Sequence, residues 1–231
     1  MSTDKLPSGL AGQPAERPEA VSRALINANQ EQRRQQLIAA TIRSIARHGL
    51  SSSTLAKVAQ EAKLSPGIVS FYFTGKDQLL LAALKSLSDE FMLRLENALA
   101  ASGTDPGENL EALIDTLLAP ELSSPDKVAV WYAYWGESQA RADYMQLCGE
   151  RDEAYHKALL ALCRQLAESA PDGHAVDVEA VTLALLGLLD QLWQSIMAER
   201  EAFDRAGARR LAQGFLASVF PWRFALPRAE P

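Results

Sequence analysis

The chain has 231 residues, of which 48% are hydrophobic, and it carries a formal net charge of −6 at pH 7. This composition allows a sizeable core to be buried and excludes disorder throughout the chain. The longest apolar run, from Val181 to Trp193, is too short to span a bilayer and contains Asp190. Prolines and glycines interrupt the first 20 residues, which excludes a secretory signal. We therefore expect a cytoplasmic protein with no membrane partner.

The two cysteines carry little functional signal. Cys148 and Cys163 do not form a Cys-x-x-Cys pair, and their neighbours are apolar or helical in character. Reduced, structural thiols fit this pattern better than a disulfide or a metal site. We predict neither a bound metal nor a cofactor.

The charge is distributed unevenly along the chain. Residues 1–30 have a net charge of 0, residues 31–77 a net charge of +4, and the remainder a net charge of −10. A compact basic segment followed by an acidic body is expected when one end of a protein approaches phosphate and the other has a different task. The negative total therefore does not exclude a nucleic-acid partner.

Residues 1–29 are predicted to form a flexible arm. They are rich in Pro, Gly, Ala and Ser, so burial of apolar groups cannot offset the entropy of ordering them. From Gln30, apolar residues recur at spacings of three and four, which predicts a first helix over residues 31–48. Gly49 follows at the position of a C-terminal cap.

Two short helices follow, and each starts with a capping signal. Serines at residues 51–53 offer N-caps for a second helix that ends near Lys63. Ser65 caps a third helix, with Pro66 at the first helical position, where its missing N–H costs nothing. A fourth, long helix is predicted from Lys76 onward.

Beyond the fourth helix no alternating strand pattern occurs, and groups of Pro and Gly separate amphipathic or largely apolar segments. The chain is therefore predicted to be all-α, with a small basic N-terminal domain and a larger helical bundle. The further helices are expected near residues 107–118, 125–138, 141–169 with a possible break, 176–200 and 205–220.

The stretch after the first helix carries the most specific motif. Two helices joined by a tight turn, the second short and capped by Ser, form the helix-turn-helix geometry that fits a major groove. The motif reads Ser53-Thr54-Leu55-x-x-Val58-Ala59-x-x-Ala62-x-Leu64-Ser65-x-Gly67-x-Val69-x-x-Tyr72-Phe73-x-x-Lys76-x-x-Leu79-Leu80. This pattern resembles the N-terminal signature of the TetR (tetracycline-repressor) family of transcriptional regulators. The resemblance implies a three-helix DNA-binding domain at residues 30–78 and a C-terminal helical domain at residues 79–223 for ligand binding and dimerisation.

Hydroxyls and small residues of this motif are candidates for DNA contact. Ser and Thr can cap helices whose free N–H groups point at phosphate. The outer face of the short helix is where base edges are read, and in the resembled family the Tyr and Lys at the end of the motif contact the DNA backbone. The predicted DNA-binding residues are Ser53, Thr54, Ser65, Pro66, Gly67, Ser70, Phe71, Tyr72 and Lys76.

Two features of the motif are unusual. Many relatives have Gly where this chain has Lys63, so a non-glycine residue is expected in the left-handed conformation there, at a cost of roughly 1 kcal/mol. The short helix also contains no Arg, Lys, Asn or Gln, the residues that make bidentate base contacts. We therefore expect DNA shape and apolar contact with thymine methyls to supply much of the specificity.

In the acidic body, two aromatic segments stand out. In "VAVWYAYWGESQ", helical spacing places Trp131 above Trp135, and in "LGLLDQLW" a carboxylate lies within an apolar helix, where it is costly unless a cation or donor satisfies it. Aromatic faces with a carboxylate can hold a quaternary ammonium. Both segments resemble the regulatory domain of the choline-sensing BetI repressors within the TetR family, a domain that also occurs in regulators with other inducers. The predicted ligand-binding residues are Trp131, Tyr134, Trp135, Asp190 and Trp193.

Two alternatives remain open for these residues. The tryptophans can be plain core, with Asp190 paired to an arginine or a helix N-terminus at a dimer interface. The ligand can also be an apolar or other small metabolite, in a pocket lined by Phe91, Leu117, Leu118, Tyr144 and Met145.

The resemblance implies a ligand-released repressor that binds a palindromic operator in double-stranded DNA as a homodimer. An enzyme is not expected, because the three histidines are scattered and no nucleophile elbow, phosphate loop or His/Glu metal pair occurs. No catalytic residue is predicted. The remaining alternative is a helical binding protein without DNA contact.

Overall fold

The computed structural model describes residues 18–137 and 140–226, with side chains from residue 27 onward. Throughout this part of the chain the regular structure is helical, as predicted. The helices are α1 (Pro18–His48), α2 (Leu55–Ala62), α3 (Pro66–Tyr72), α4 (Lys76–Ala101), α5 (Pro106–Leu118), α6 (Pro125–Gly136), α7 (Arg141–Glu168), α8 (Val178–Glu199) and α9 (Arg205–Val219), with a short 3-10 turn at Arg200–Ala202 between α8 and α9.

The chain divides into two units, at residues 1–36 and 37–231. In the first unit, the described part of α1 has local side-chain contacts, including an Arg33 to Gln36 hydrogen bond of 2.7 Å and an Arg34–Glu31 ion pair. Helix α1 begins at Pro18, so the described part of the predicted arm is helical rather than irregular. Residues 1–17 of that arm lie outside the described residues.

In the second unit, residues 37–75 form a small helical subdomain, which we call the N-terminal subdomain. Three helices form its core, because each of them presents one stripe of apolar side chains inward. The buried residues are Leu37, Ile38, Ala40, Val58, Ala59, Ala62, Val69 and Phe73, together with Leu79 from the first turn of α4.

Ionic contacts brace α1 against α2. Arg43 donates to the Glu61 carbonyl at 3.2 Å, and both Arg43 and Arg47 pair with the Glu61 carboxylate. Part of the positive charge of the basic segment is therefore used within the protein.

The turn between α2 and α3 has the conformation expected from the sequence. Lys63 adopts φ 55° and ψ 42°, in the left-handed region, and its N–H closes the end of α2 on the Ala59 and Gln60 carbonyls. The prediction of a left-handed non-glycine residue at this position is confirmed.

We expect Lys63→Gly to raise the free energy of unfolding by roughly 0.5–1 kcal/mol, because glycine relieves left-handed strain and loses part of that gain to unfolded-state entropy. Urea unfolding measures this difference. As a matched control, Lys85→Gly in the middle of α4, where Lys85 is exposed, is expected to lower stability by about 1 kcal/mol. A loss of stability for both variants would contradict the assignment of strain.

Helix α4 joins the N-terminal subdomain to the larger bundle formed by α5 to α9. Leu79, near its start, is buried with α2 and α3, whereas Phe91 and Leu95, further along, are buried in the core of the bundle. One continuous helix therefore contacts both hydrophobic clusters.

Each of four bundle helices begins with a side chain that satisfies the free N–H groups of the first turn. The capping side chains are Asp105, Ser124, Asp177 and Asp204. Arg205, in the first turn of α9, donates to the Leu118 carbonyl and to the carbonyl and hydroxyl of Ser123. It thereby fixes the start of α9 to the end of α5.

Helices α8 and α9 retain apolar surface. Leu183 is 69% exposed and Leu211 is 53% exposed. The segment Val178–Ala202 is long and apolar enough, by length and composition, to cross a membrane, although a core helix of a soluble bundle meets the same criterion. Here α8 packs against α6, α7 and α9.

Candidate nucleic-acid interface and effector cavity

Helix α3 presents a surface of small and aromatic side chains. It begins at Pro66 after Ser65, and its residues Gly67, Ser70 and Phe71 are exposed. A Cβ added at Gly67 would have no heavy atom within 4 Å, and Phe71 is 74% exposed. This face combines an accessible backbone with an exposed apolar ring, a combination suited to contact with base edges and thymine methyls.

Three polar side chains lie beside this face. Thr54 is the N-cap of α2, its hydroxyl accepting from the Lys57 N–H at 3.3 Å. Ser65 occupies the N-cap position of α3 and is exposed, but its side chain does not form the predicted capping hydrogen bond. Lys76, at the start of α4, donates to the Ser51 carbonyl at 2.7 Å, which holds its ammonium group beside the turn that precedes α2.

The structure places one predicted DNA contact, Ser53, inside the subdomain. Ser53 is 1% exposed, and its hydroxyl donates to the Gly49 carbonyl at 2.8 Å and accepts from the Ser44 hydroxyl. The hydroxyl is engaged because the loop folds back on α1. Ser53 therefore supports the loop instead of reaching phosphate, and Thr54 provides the cap predicted for the serines.

A cavity of about 450 Å³ opens among α4 to α8. Seven aromatic rings and several aliphatic side chains form most of its wall, with three charged groups among them. We call it the effector cavity. Its lining residues are Phe91, Leu117, Trp131, Tyr132, Trp135, Tyr144, Arg151, Asp152, Tyr155, Leu186, Leu189, Asp190 and Trp193.

Four of the five predicted ligand-binding residues meet in this wall: Trp131, Trp135, Asp190 and Trp193. Tyr134 does not line the cavity. It lies on the adjacent side of α6, 2% exposed, packed in the cluster that contains Leu80, Ala83 and Leu84 of α4. Trp131, three residues earlier on α6, belongs to the same cluster but also reaches the cavity.

The apolar pocket considered as an alternative is partly the same space. Phe91, Leu117 and Tyr144 line the effector cavity. Leu118 belongs to the bundle core, and Met145 is 50% exposed on α7. The residues predicted for an apolar ligand and those predicted for a cation therefore partly share one cavity.

Asp190 is held by neutral donors. The Tyr132 hydroxyl donates to one carboxylate oxygen at 2.6 Å, and the Gln194 amide donates to the other at 2.9 Å. Asp190 itself is exposed, which differs from the burial expected within its apolar helix. No Lys or Arg forms an ion pair with it within the described part of the chain, so its charge is available to the cavity.

Arg151 is the main cavity residue that sequence reasoning missed. Its guanidinium carbon lies 4.3 Å from the centre of the Trp131 ring, 4.9 Å from that of Phe91 and 5.9 Å from that of Tyr144. The side chain is buried, and it pairs with the neighbouring Asp152. The rings thus already surround a cation that belongs to the protein.

Two tyrosines hold the carboxylates in the cavity. Burial, reinforced by the hydrogen bond to Asp190, raises the pKa of Tyr132, and burial likewise raises the pKa of Tyr144. Both phenols therefore stay protonated and donate, Tyr132 to Asp190 and Tyr144 to Asp152 at 2.8 Å.

The sequence contains a signal for the part of the cavity wall that α7 forms. Tyr144, Arg151 and Tyr155 are spaced by seven and four, which places them on one helical face. That signal identifies a shared face but not the helices opposite it, and Tyr132 has no comparable signal.

Two family models match this chain, one in its N-terminal part and one in its C-terminal part. Residues 37–83 match the family model described as "Bacterial regulatory proteins, tetR family", and residues 106–221 match "BetI-type transcriptional repressor, C-terminal". The chain belongs to the TetR family. It is a DNA-binding transcriptional regulator with a BetI-type C-terminal domain.

Similar proteins cover most of the chain. The HTH-type transcriptional regulator BetI of Paraburkholderia phytofirmans is 31% identical over 193 residues, covering 84% of this chain and 96% of the relative. A transcriptional regulator structure from Pseudomonas aeruginosa PAO1 aligns with a TM-score of 0.64 at 27% identity, covering 84% and 95% of the two chains. A Saccharomonospora viridis regulator in complex with choline aligns with a TM-score of 0.64 at 21% identity, covering 80% and 96%, and shows the shared fold.

Proposed function

We propose that this regulator is a repressor that a small organic cation such as choline releases from DNA. The observation that carries the proposal is the effector cavity, whose wall combines aromatic side chains with the Asp190 carboxylate, which accepts hydrogen bonds from the neutral Tyr132 and Gln194 side chains. Desolvated cation–π contacts favour a quaternary ammonium by about 2 kcal/mol each. The BetI name of the relatives and the choline bound by a structural neighbour support the same ligand class.

The proposed DNA interface is the exposed face of α3 with the residues beside it. Its contacts are Thr54, Ser65, Tyr72 and Lys76 to the phosphate backbone, and Pro66, Gly67, Ser70 and Phe71 toward the bases. Few donors on this face can make bidentate base contacts, so DNA shape supplies much of the specificity.

We propose that two chains assemble through α8 and α9. The exposed Leu183 and Leu211 lie on these two helices, and burial against a second copy would remove their apolar surface from water. Two copies of α3 would then read half-sites of a palindromic operator about one helical turn apart. A regulator of transcription acts at the chromosome, so we propose that this one works in the cytoplasm. We propose for it neither a catalytic role nor a bound cofactor.

Two connections link the cavity to the DNA interface. Helix α4 begins at Lys76, beside the proposed DNA interface, and carries Phe91 in the cavity wall. Glu137, directly after the cavity-lining helix α6, accepts a hydrogen bond from the Ser51 hydroxyl, and the Ser51 carbonyl accepts from Lys76. A ligand that prefers one arrangement of α4 and α6 shifts the population toward it and changes the spacing of the two α3 helices.

The direct test starts by selecting bound duplexes from a random DNA pool. Fluorescence anisotropy of the selected operator is then followed while choline is added. Release of the operator by choline chloride supports the proposal if the same concentration of sodium chloride does not release it. Retention of the operator at saturating choline contradicts choline as effector, and failure to select any duplex contradicts the DNA interface.

Asp190→Asn is expected to weaken choline binding by about tenfold, because the neutral amide keeps the shape but removes a negative charge from the cavity wall, where it attracts a cation. Quenching of the cavity tryptophans measures the affinity. Asp89→Asn, which removes the same charge from an exposed site on α4, is the matched control and should bind choline as the parent does. Equal affinities for all three proteins would remove Asp190 from the site.

A further inference from the structure

We propose that Arg151 is a built-in competitor for the cation site, so that a cationic effector binds by replacing its guanidinium among the rings of Phe91, Trp131 and Tyr144. This inference rests on the proposed function and specifies where in the cavity the cation binds. We call these three rings the aromatic box.

The geometry of the box is that of a filled cation site. The Arg151 guanidinium carbon lies 4.3 Å and 4.9 Å from the centres of the Trp131 and Phe91 rings, within the distance of about 6 Å at which cations are attracted to ring faces. The rings stand edge to face, Phe91 with Trp131 at 74° and Trp131 with Tyr144 at 85°. A free cation and Arg151 therefore cannot both lie against the same faces.

The polar contacts of Arg151 are confined to its own helix. It donates to Asp152, the next residue, and to the Tyr144 hydroxyl at 3.0 Å. Its Nη1 atom is buried and has no hydrogen-bond acceptor within the described part of the chain. An unsatisfied buried donor costs about 1–3 kcal/mol in general, so the resident guanidinium is imperfectly bound and can be exchanged.

A quaternary ammonium suits the box better than a guanidinium in one respect. It has no N–H groups to satisfy, so it gains the cation–π attraction without an orphaned donor. The carboxylate of Asp152, fixed by the Tyr144 hydroxyl at 2.8 Å, remains beside the box to balance the incoming charge.

Replacement has a structural consequence. Arg151 is on α7, Trp131 on α6 and Phe91 on α4, so the guanidinium packs three helices together. When a free cation takes its place, α7 loses its cation–π contact with the Phe91 ring of α4, and the packing of α4 changes with it. The effector site and the helix that leads to the DNA interface are thus connected by one side chain.

Arg151→Met tests the proposal, because methionine has a similar length but no charge. We expect it to bind tetramethylammonium and choline about tenfold more tightly than the parent, since the guanidinium that competes for the three rings is removed. Arg151→Lys retains a competing cation and is expected to stay near the parent affinity. Arg164→Met, an exposed position on the same helix, is the matched control and should leave both affinities unchanged.

Nuclear magnetic resonance of the full chain, labelled with ¹⁵N-arginine, follows the exchange directly. Ring currents from Trp131 and Phe91 are expected to shift the Arg151 Nε–H signal, which is assigned by its absence in Arg151→Met. Saturation with tetramethylammonium should return this signal toward the position of exposed arginines. A signal that stays shifted while tryptophan quenching shows saturation overturns the proposal.

The outcomes for the two proposals differ. If choline fails to release DNA but Arg151→Met gains affinity for tetramethylammonium, the box is a cation site and the proposed effector is wrong. If choline releases DNA but Arg151→Met, shown to be folded by its thermal unfolding, binds cations no more tightly than the parent, the competitor role is wrong. If neither protein binds either cation, both proposals fail.

Discussion

Gly67→Glu is expected to weaken binding to the selected operator by about a hundredfold. Gly67 lies in the first turn of α3, exposed, with space for a Cβ, so the substitution leaves the fold intact and places a long anionic side chain against DNA. Loss of a base contact costs about 1–3 kcal/mol, and the added charge opposes phosphate. Fluorescence anisotropy at one fixed ionic strength measures the loss.

Two controls separate the causes. Gly67→Gln has the same length without the charge, and it should lose less affinity than Gly67→Glu. Gln146→Glu adds the same charge at an exposed position on α7 and should bind the operator normally. Thermal unfolding should show Gly67→Glu to be as stable as the parent, because an acidic residue near a helix N-terminus is favourable. Parent-like affinity of a folded Gly67→Glu protein would exclude α3 as the DNA-reading helix.

Phe220→Ala is expected to lower the free energy of unfolding by about 3–5 kcal/mol, because it leaves a large cavity in the bundle core. Phe220 is 0% exposed directly after α9, and its ring packs against those of Trp222 and Phe224 at 5.7 Å and 6.5 Å between centres. Urea unfolding measures the change, at one protein concentration since assembly adds to apparent stability.

The matched control is Phe71→Ala, the same substitution at a side chain that is 74% exposed. Its stability should stay within about 0.5 kcal/mol of the parent, while its operator affinity should fall, because the proposed contact with thymine methyls is lost. The two variants are thus expected to show opposite defects. A large loss of stability in Phe71→Ala, or none in Phe220→Ala, would contradict this division of roles.

The helices were predictable because their signals are local. Capping residues, proline at the first helical position and apolar spacing act within a few turns of chain, and they predicted α2 to α9 to within a few residues. The left-handed Lys63 was also predictable, because many members of the resembled family have Gly at this position. The start of α1 was missed, since the residues before Gln30 contain few bulky apolar groups to mark a helix.

The DNA-binding motif was also readable from the sequence, because its spacing specifies a turn and two crossed helices. The sequence did not show which hydroxyls of the motif remain accessible. Ser53 and Thr54 are neighbours with similar side chains, yet one is buried against α1 and the other is exposed as a cap. Only the path of the loop in three dimensions distinguishes them.

The sequence by itself determined that aromatic residues and a carboxylate occur on apolar helices of this protein. Only the tertiary structure decided which of them share a cavity, because Phe91, Trp131, Arg151 and Asp190 come from four helices that meet through packing. Helical periodicity specifies the face of one helix and contains no information about the face opposite it. The cation already present among the rings is therefore a property of the packed bundle and could not be read from any single segment.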